Sequence, residues 1–134
     1  MTLPVALDTN LLVRLLTGDE PEQAGRVADL IDASPACFVP ITVVLELEWV
    51  LRGAYHLDRR AVIAALEGLM AIRHVHLEQE ELVRQALAWH RQGLDFADAL
   101  HLLRSEGCAR FASLDRALAK AATALDVRPA VQSL

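Results

Sequence analysis

Apolar residues along this chain fall into two alternating rhythms. Short, nearly unbroken runs at Pro4 to Leu7, Cys37 to Pro40, Ile72 to Leu77 and Arg110 to Leu114 are too brief for helices. They predict short, mostly buried strands. Between them, apolar positions recur at helical spacing over Leu11 to Leu16, Glu22 to Ile31, Val43 to Leu51, Arg59 to Met70, Glu80 to Trp89, Ala97 to Arg104 and Arg116 to Leu125. Pro21 suits a first helical turn, Asp58 suits a cap, and Gly18, Gly53, Gly93 and Gly107 fall near predicted helix ends. With a last strand near Val127 to Val131, the alternation predicts an α/β protein, a three-layer α/β/α sandwich on a mainly parallel central sheet.

At 134 residues the chain is expected to form one domain, residues 1–134, with a core that needs no disulfide or structural metal. The composition, 54% hydrophobic and 23% charged, excludes a disordered chain. No stretch approaches the roughly 20 apolar residues of a membrane span. Met1 to Pro4 carries no basic leader pattern, so a soluble, cytoplasmic protein is expected. Cys37 and Cys108 fit no zinc or redox spacing and are read as small packing residues. A net charge of −5 argues against nucleic acid as a partner, unless carboxylates are gathered around cations.

In parallel α/β sheets, ligands bind beyond the carboxyl ends of the strands. Asp8, Glu46, Asp98 and Asp115 all fall at such strand-to-helix junctions. Each also has a plainer reading. Asp115 can cap a helix, Asp95 with Asp98 resembles a capping pair, Asp8 can start a turn, and Glu46 can be solvated. Glu48 supplies an internal contrast. It stands four residues before Arg52, which places that pair on an exposed face, whereas Glu46 is assigned to the edge of the apolar face. Carboxylates about 4 Å apart would repel by about 4 kcal/mol per pair at an effective dielectric near 20, so convergence requires a cation. An all-oxygen set favours Mg²⁺, with Mn²⁺ possible, over zinc.

The segments Leu7-Asp8-Thr9-Asn10, Leu45-Glu46-Leu47, Asp95-Phe96-Ala97-Asp98-Ala99-Leu100-His101 and Ser113-Leu114-Asp115-Arg116 resemble the successive motifs of VapC-type PIN domains. Together they cover nearly the whole chain. The resemblance implies a metal-dependent endoribonuclease, the toxin of a toxin–antitoxin pair, hydrolysing RNA with metal-activated water and leaving a 5′-phosphate. Asp8 and Asp98 would be the direct Mg²⁺ ligands, with Glu46 and Asp115 supporting and Thr9, Asn10, Ser113 and Asp95 auxiliary. A VapB-type antitoxin and a homodimeric state are also implied. Two residues after Asp115, where some relatives carry another acid, this chain has Ala117.

Arg116, the arginine nearest this set in sequence, is the candidate phosphate contact. The five histidines are scattered and read as surface or packing residues. Trp49 and Trp89 read as core or interface anchors rather than platforms for bases. A phosphoacceptor role for Asp8 is opposed by Asn10, where a second aspartate is usual, and by the chain's one lysine, Lys120, inside a predicted helix. A PIN nuclease of RNA processing and a non-catalytic RNA- or protein-binding PIN domain stand as alternatives.

Overall fold

A computed structural model of the chain describes residues 3–134, so the Met1 and Thr2 part of the leader reading lies outside the described residues. The chain divides into two compact units, one reaching to Glu80 and the other spanning Glu81–Leu134. Each is built from short parallel strands joined by helices.

The first unit runs β1 (Val5–Ala6), α1 (Thr9–Thr17), α2 (Pro21–Ala33), β2 (Cys37–Val39), α3 (Ile41–Gly53), α4 (Arg59–Met70) and β3 (Val75–Leu77). Its strands pair in the order β1-β2-β3, all parallel, with Ala6 opposite Phe38 and Phe38 opposite His76. Helical crossovers separate the paired strands, as parallel pairing requires. Alternation along β2 and β3 buries Cys37, Val39, Val75 and Leu77, and Leu12, Val44, Leu47, Leu51, Leu66 and Leu69 are among the fully buried side chains of the unit. The outer strand β1 is exposed, against the expectation of burial, and Leu7 just beyond it is buried. Helix α1 ends at Gly18, whose φ of 65° is the left-handed conformation that lets its N–H reach Arg14 O at 3.0 Å.

The second unit contains α5 (Glu80–Arg91) apart from its first residue, α6 (Phe96–Leu103), β4 (Phe111–Ser113), α7 (Arg116–Ala124) and β5 (Val131–Ser133). Its two strands pair in parallel, Phe111 opposite Val131, with α7 as the crossover. Phe96, Leu87, Ala99, Leu102 and Leu118 of this unit are buried. The last strand lies later than Val127 to Val131. The Val127 amide bonds to Ala122 O at 3.1 Å, closing the end of α7, and Pro129 has no amide to give to a ladder. For the same kind of reason β3 starts at Val75, because the Ala71 and Ile72 amides bond back to carbonyls of α4.

Three side chains depart from expectation. Glu48 is buried, because the inward stripe of α3 is Val44, Leu47, Glu48 and Leu51. Trp49, next to that stripe, is exposed rather than core, while Trp89 is half-buried. Cys37 packs as expected, but Cys108 is exposed. Among the described residues no helix is long and apolar enough to cross a membrane.

Candidate functional site

In the first unit, Asp8 sits where β1 gives way to α1. It holds the N-cap position with extended backbone, yet its carboxylate makes no capping hydrogen bond. An aspartate there ordinarily satisfies one of the free amides of the first turn. This one leaves its side chain exposed and available for another partner. The next residue, Thr9, is buried, and its hydroxyl donates a hydrogen bond to Glu46 Oε1. That bond joins the start of α1 to the second turn of α3. It fixes one carboxylate oxygen of Glu46, an otherwise exposed residue.

Asn10 is exposed and lines a cavity of about 500 Å³ between α1 and α2, with Arg14, Gln23 and Arg26 as its other polar lining. Arg14 is held beside it by Gln23 and Asp19, and donates to the Tyr55 hydroxyl at 2.9 Å. A further acid of this unit, Glu78 just after β3, accepts from the Ile41 amide at 2.9 Å and serves the start of α3. Glu48 pairs with Arg52 at 2.9 Å as the i,i+4 spacing predicts, but from the buried side of the helix.

In the second unit, Asp95 caps α6, accepting from the Asp98 amide at 3.2 Å, and Asp115 caps α7, accepting from the Leu118 amide at 3.0 Å. The capping readings are therefore correct for both. Ser113, at the end of β4, accepts from the Asp115 amide at 3.0 Å and so shapes the turn that presents Asp115. Arg116 is exposed, with no ion pair among the described residues.

Asp98 is the electrostatic focus of this unit. Burial raises its pKa above the usual aspartate value, the neighbouring charges of Asp95 and Asp115 raise it further, and His101 one turn on opposes them. The charges of Asp95 and Asp115 thus both oppose ionisation of Asp98. Among the histidines, His90 is buried, its Nδ1 donating to Leu94 O at 2.7 Å and its ring edge-on to Phe96, and His74 bonds to Ile31 O. Both are packing roles.

The exposure of Trp49, one turn beyond Glu46, removes the core half of its reading and leaves the interface half open. The signal was present: with Val44, Leu47 and Leu51 taken as the inward stripe, residue 48 falls inward and residue 49 outward.

The PIN domain family matches residues 5–124, a span that crosses the boundary between the two units. Compared with curated proteins, the chain finds no match. The family match covers most of the chain, which belongs to the PIN domain family. Seven helices among the described residues, with parallel pairing in both sheets, agree with the α/β/α fold of that family.

Proposed function

We propose that this PIN domain is a Mg²⁺-dependent endoribonuclease that acts as a single domain, with Asp8, Glu46, Asp98 and Asp115 as its acidic residues and Asp8 and Asp98 as direct ligands of the cation. The observation that carries the reading is the state of Asp98. Its charge is opposed by burial and by two neighbouring carboxylates, an arrangement that costs stability unless a cation offsets it. Asp8 adds support, since a carboxylate at an N-cap that does not cap is free to bind something else.

The donor set fits a hard divalent ion, being all oxygen with no paired Cys or His beside it. Among the described residues no three His, Cys, Asp or Glu side chains form a ready-made metal cluster. The cation is therefore assigned from family membership and from the charge at Asp98. Bound Mg²⁺ would supply charge neutralisation at the scissile phosphate and activation of water.

The chain's own residues have distinct tasks in this scheme. Thr9 orients Glu46 through its hydroxyl, Ser113 sets the backbone that presents Asp115, and Asp95 holds the Asp98 amide. Arg116, exposed beside Asp115, is positioned in sequence to meet phosphate, and Asn10 faces the neighbouring cavity as an auxiliary polar group. By resemblance to VapC-type PIN domains the protein is the toxin of a toxin–antitoxin pair. In this reading it acts in the cytoplasm as a homodimer and is neutralised by a VapB-type antitoxin.

The test is incubation of purified protein with structured and unstructured RNAs in Mg²⁺, in Mn²⁺ and in EDTA, with Asp8→Asn and Asp98→Asn beside the parent. Cleavage that needs metal and disappears in both variants is the expected result. Full activity in either variant would overturn the assignment of that ligand, and folded parent protein that cuts no RNA would favour a binding-only PIN domain. The toxin role predicts growth arrest on expression, relieved by co-expression of a small antitoxin encoded beside it.

A further inference from the structure

We infer that His90 is a positioning residue for the proposed cation site, holding both residues that flank Asp95 and so fixing the aspartate that orients Asp98. The inference rests on the nuclease reading given above, in which Asp98 is a ligand of the cation.

Four residues, Gln92 to Asp95, join α5 to α6. The amides of the first three close the end of α5. Gln92 and Leu94 each donate to Trp89 O at 3.1 Å, and Gly93, with φ of 114°, donates to His90 O at 3.0 Å. The Leu94 carbonyl is reached by no backbone amide among the described residues, and the residue is 1% exposed. His90 Nδ1 donates to it at 2.7 Å. A carbonyl only accepts, so this bond fixes the ring with its proton on Nδ1. On the other side of Asp95, Phe96 is fully buried, and the same ring meets it edge-on with centroids 6.0 Å apart and planes at 69°.

Asp95 is therefore held through both of its neighbours in sequence. Its Oδ2 accepts from the Asp98 amide at 3.2 Å and its carbonyl from the Ala99 amide at 2.9 Å, so its placement sets the first turn of α6, which carries Asp98. The charge of Asp95 also opposes ionisation of Asp98, so a displaced Asp95 alters both the direction and the charge environment of that ligand. Nε2 of His90 is buried without a hydrogen-bond partner among the described residues. The Leu94 bond is thus the ring's one polar contact there, and a substitution can remove it alone.

Backbone amide exchange and Mg²⁺ titration test the inference. His90→Phe keeps a buried ring beside Phe96 and leaves the Leu94 carbonyl without a donor, whereas His90→Asn returns a donor, its side-chain amide nitrogen taking the place of Nδ1. In His90→Phe the Asp98 and Ala99 amides should exchange roughly five- to a hundredfold faster, the local consequence of an orphaned buried acceptor. The Leu118 amide, capped by Asp115 in the same unit, should keep the parent rate. The Mg²⁺ concentration that half-saturates the rise in Tm should increase about three- to tenfold, less than the roughly 10–100-fold typical of a direct outer-shell partner. His90→Asn should recover most of both effects, and in an Asp95→Ala background His90→Phe should add little to the Mg²⁺ effect. If the phenylalanine variant does not fold, His90→Leu removes the same bond with less bulk. Equal acceleration at Leu118, parent rates at Asp98, or an asparagine variant no better than phenylalanine would overturn the inference, the first by reducing His90 to packing alone. Failure of the nuclease reading shows separately, as parent protein that cleaves no RNA and gains no Tm from Mg²⁺, and the exchange rates then decide whether His90 holds Asp95.

Discussion

The ion pair on α3 gives the most demanding test of how this chain is held together. Glu48 is 1% exposed and its Oε2 accepts from Arg52 Nε at 2.9 Å, while Oε1 is buried without a hydrogen-bond partner among the described residues. Arg52→Ala would leave that carboxylate in the core with neither oxygen compensated. Breaking a buried pair in this way costs about 3–5 kcal/mol, and because Arg52 is itself 46% exposed, water can replace part of it, which brings the expected cost to about 2–3 kcal/mol. At roughly 2.1 cal/mol/K per residue over 134 residues, the unfolding entropy is about 0.28 kcal/mol/K, so Tm should fall by about 7–11 °C. Glu48→Leu places a leucine in line with Val44, Leu47 and Leu51 and removes the desolvated charge instead of stranding it. It should leave Tm unchanged or raise it, and Arg52→Ala in that background should then cost under about 1 kcal/mol. Thermal melts and urea titrations of the parent, the two single variants and the double variant read this directly. If Glu48→Leu is as damaging as Arg52→Ala, the pair is a net source of stability and the reasoning is wrong.

Other outcomes follow from the acids. Asp115→Asn should keep the cap on α7, since asparagine caps well, yet lose cleavage, whereas Asp115→Ala should lose both cleavage and about 1 kcal/mol of stability. Asp58→Ala should lose a similar cap energy, through its bond to the Ala61 amide, with cleavage unaffected, as paired melts and RNA assays would reveal. For Asp98 the folded pKa is raised, so the native protein binds its proton more readily than the unfolded chain. Its contribution to stability of the metal-free protein should decline as pH rises from the ordinary value of 3.8 through the raised one. Asp98→Asn should remove that decline, giving a larger rise or a shallower fall over this range of the urea-unfolding pH profile, and Mg²⁺ at neutral pH should raise Tm in the parent and not in the variant. A smaller rise or steeper fall over that pH range in Asp98→Asn than in the metal-free parent would contradict the burial and repulsion assigned to Asp98.

Much of this was legible in the pattern of residues because strand length and helix period are local properties. Helix α4 runs from Arg59 to Met70 as predicted, and Asp58, Asp95 and Asp115 cap where their spacing requires. What was not legible depended on the rotation of a helix about its axis. For α3 the contrast between Glu46 and Glu48 was assigned with Glu48 outward, because an i,i+4 pair with arginine usually lies in solvent. The pair does form, but the apolar positions Val44, Leu47 and Leu51 carry residue 48 inward with them, and burial of three aliphatic side chains outweighs the cost of one paired charge. The same rotation turns Trp49 outward. The shift of the last strand had another cause, a helix-closing bond at Val127 that no periodicity reports.

Capping and catalysis are not competing explanations for the acids of the second unit. Asp95 uses Oδ2 on the Asp98 amide, and Asp115 uses Oδ1 on the Leu118 amide. A carboxylate has two oxygens and about four lone-pair sites, so each cap leaves most of its acceptor capacity open. The cap also fixes the direction of the side chain without a further scaffold. Asp98 sits at the third position of α6, partly buried, facing the charges of the two capped acids. The division of labour follows from that asymmetry. Two acids are held by backbone amides at helix starts, and their charges add to burial in opposing ionisation of the third. In the first unit Asp8 reverses the pattern, holding a cap position without using it, and Glu46 is held by a hydroxyl in place of an amide. The proposed cation site rests on these two departures, Asp8 at a cap position without its capping bond and Asp98 with a raised cost of ionisation.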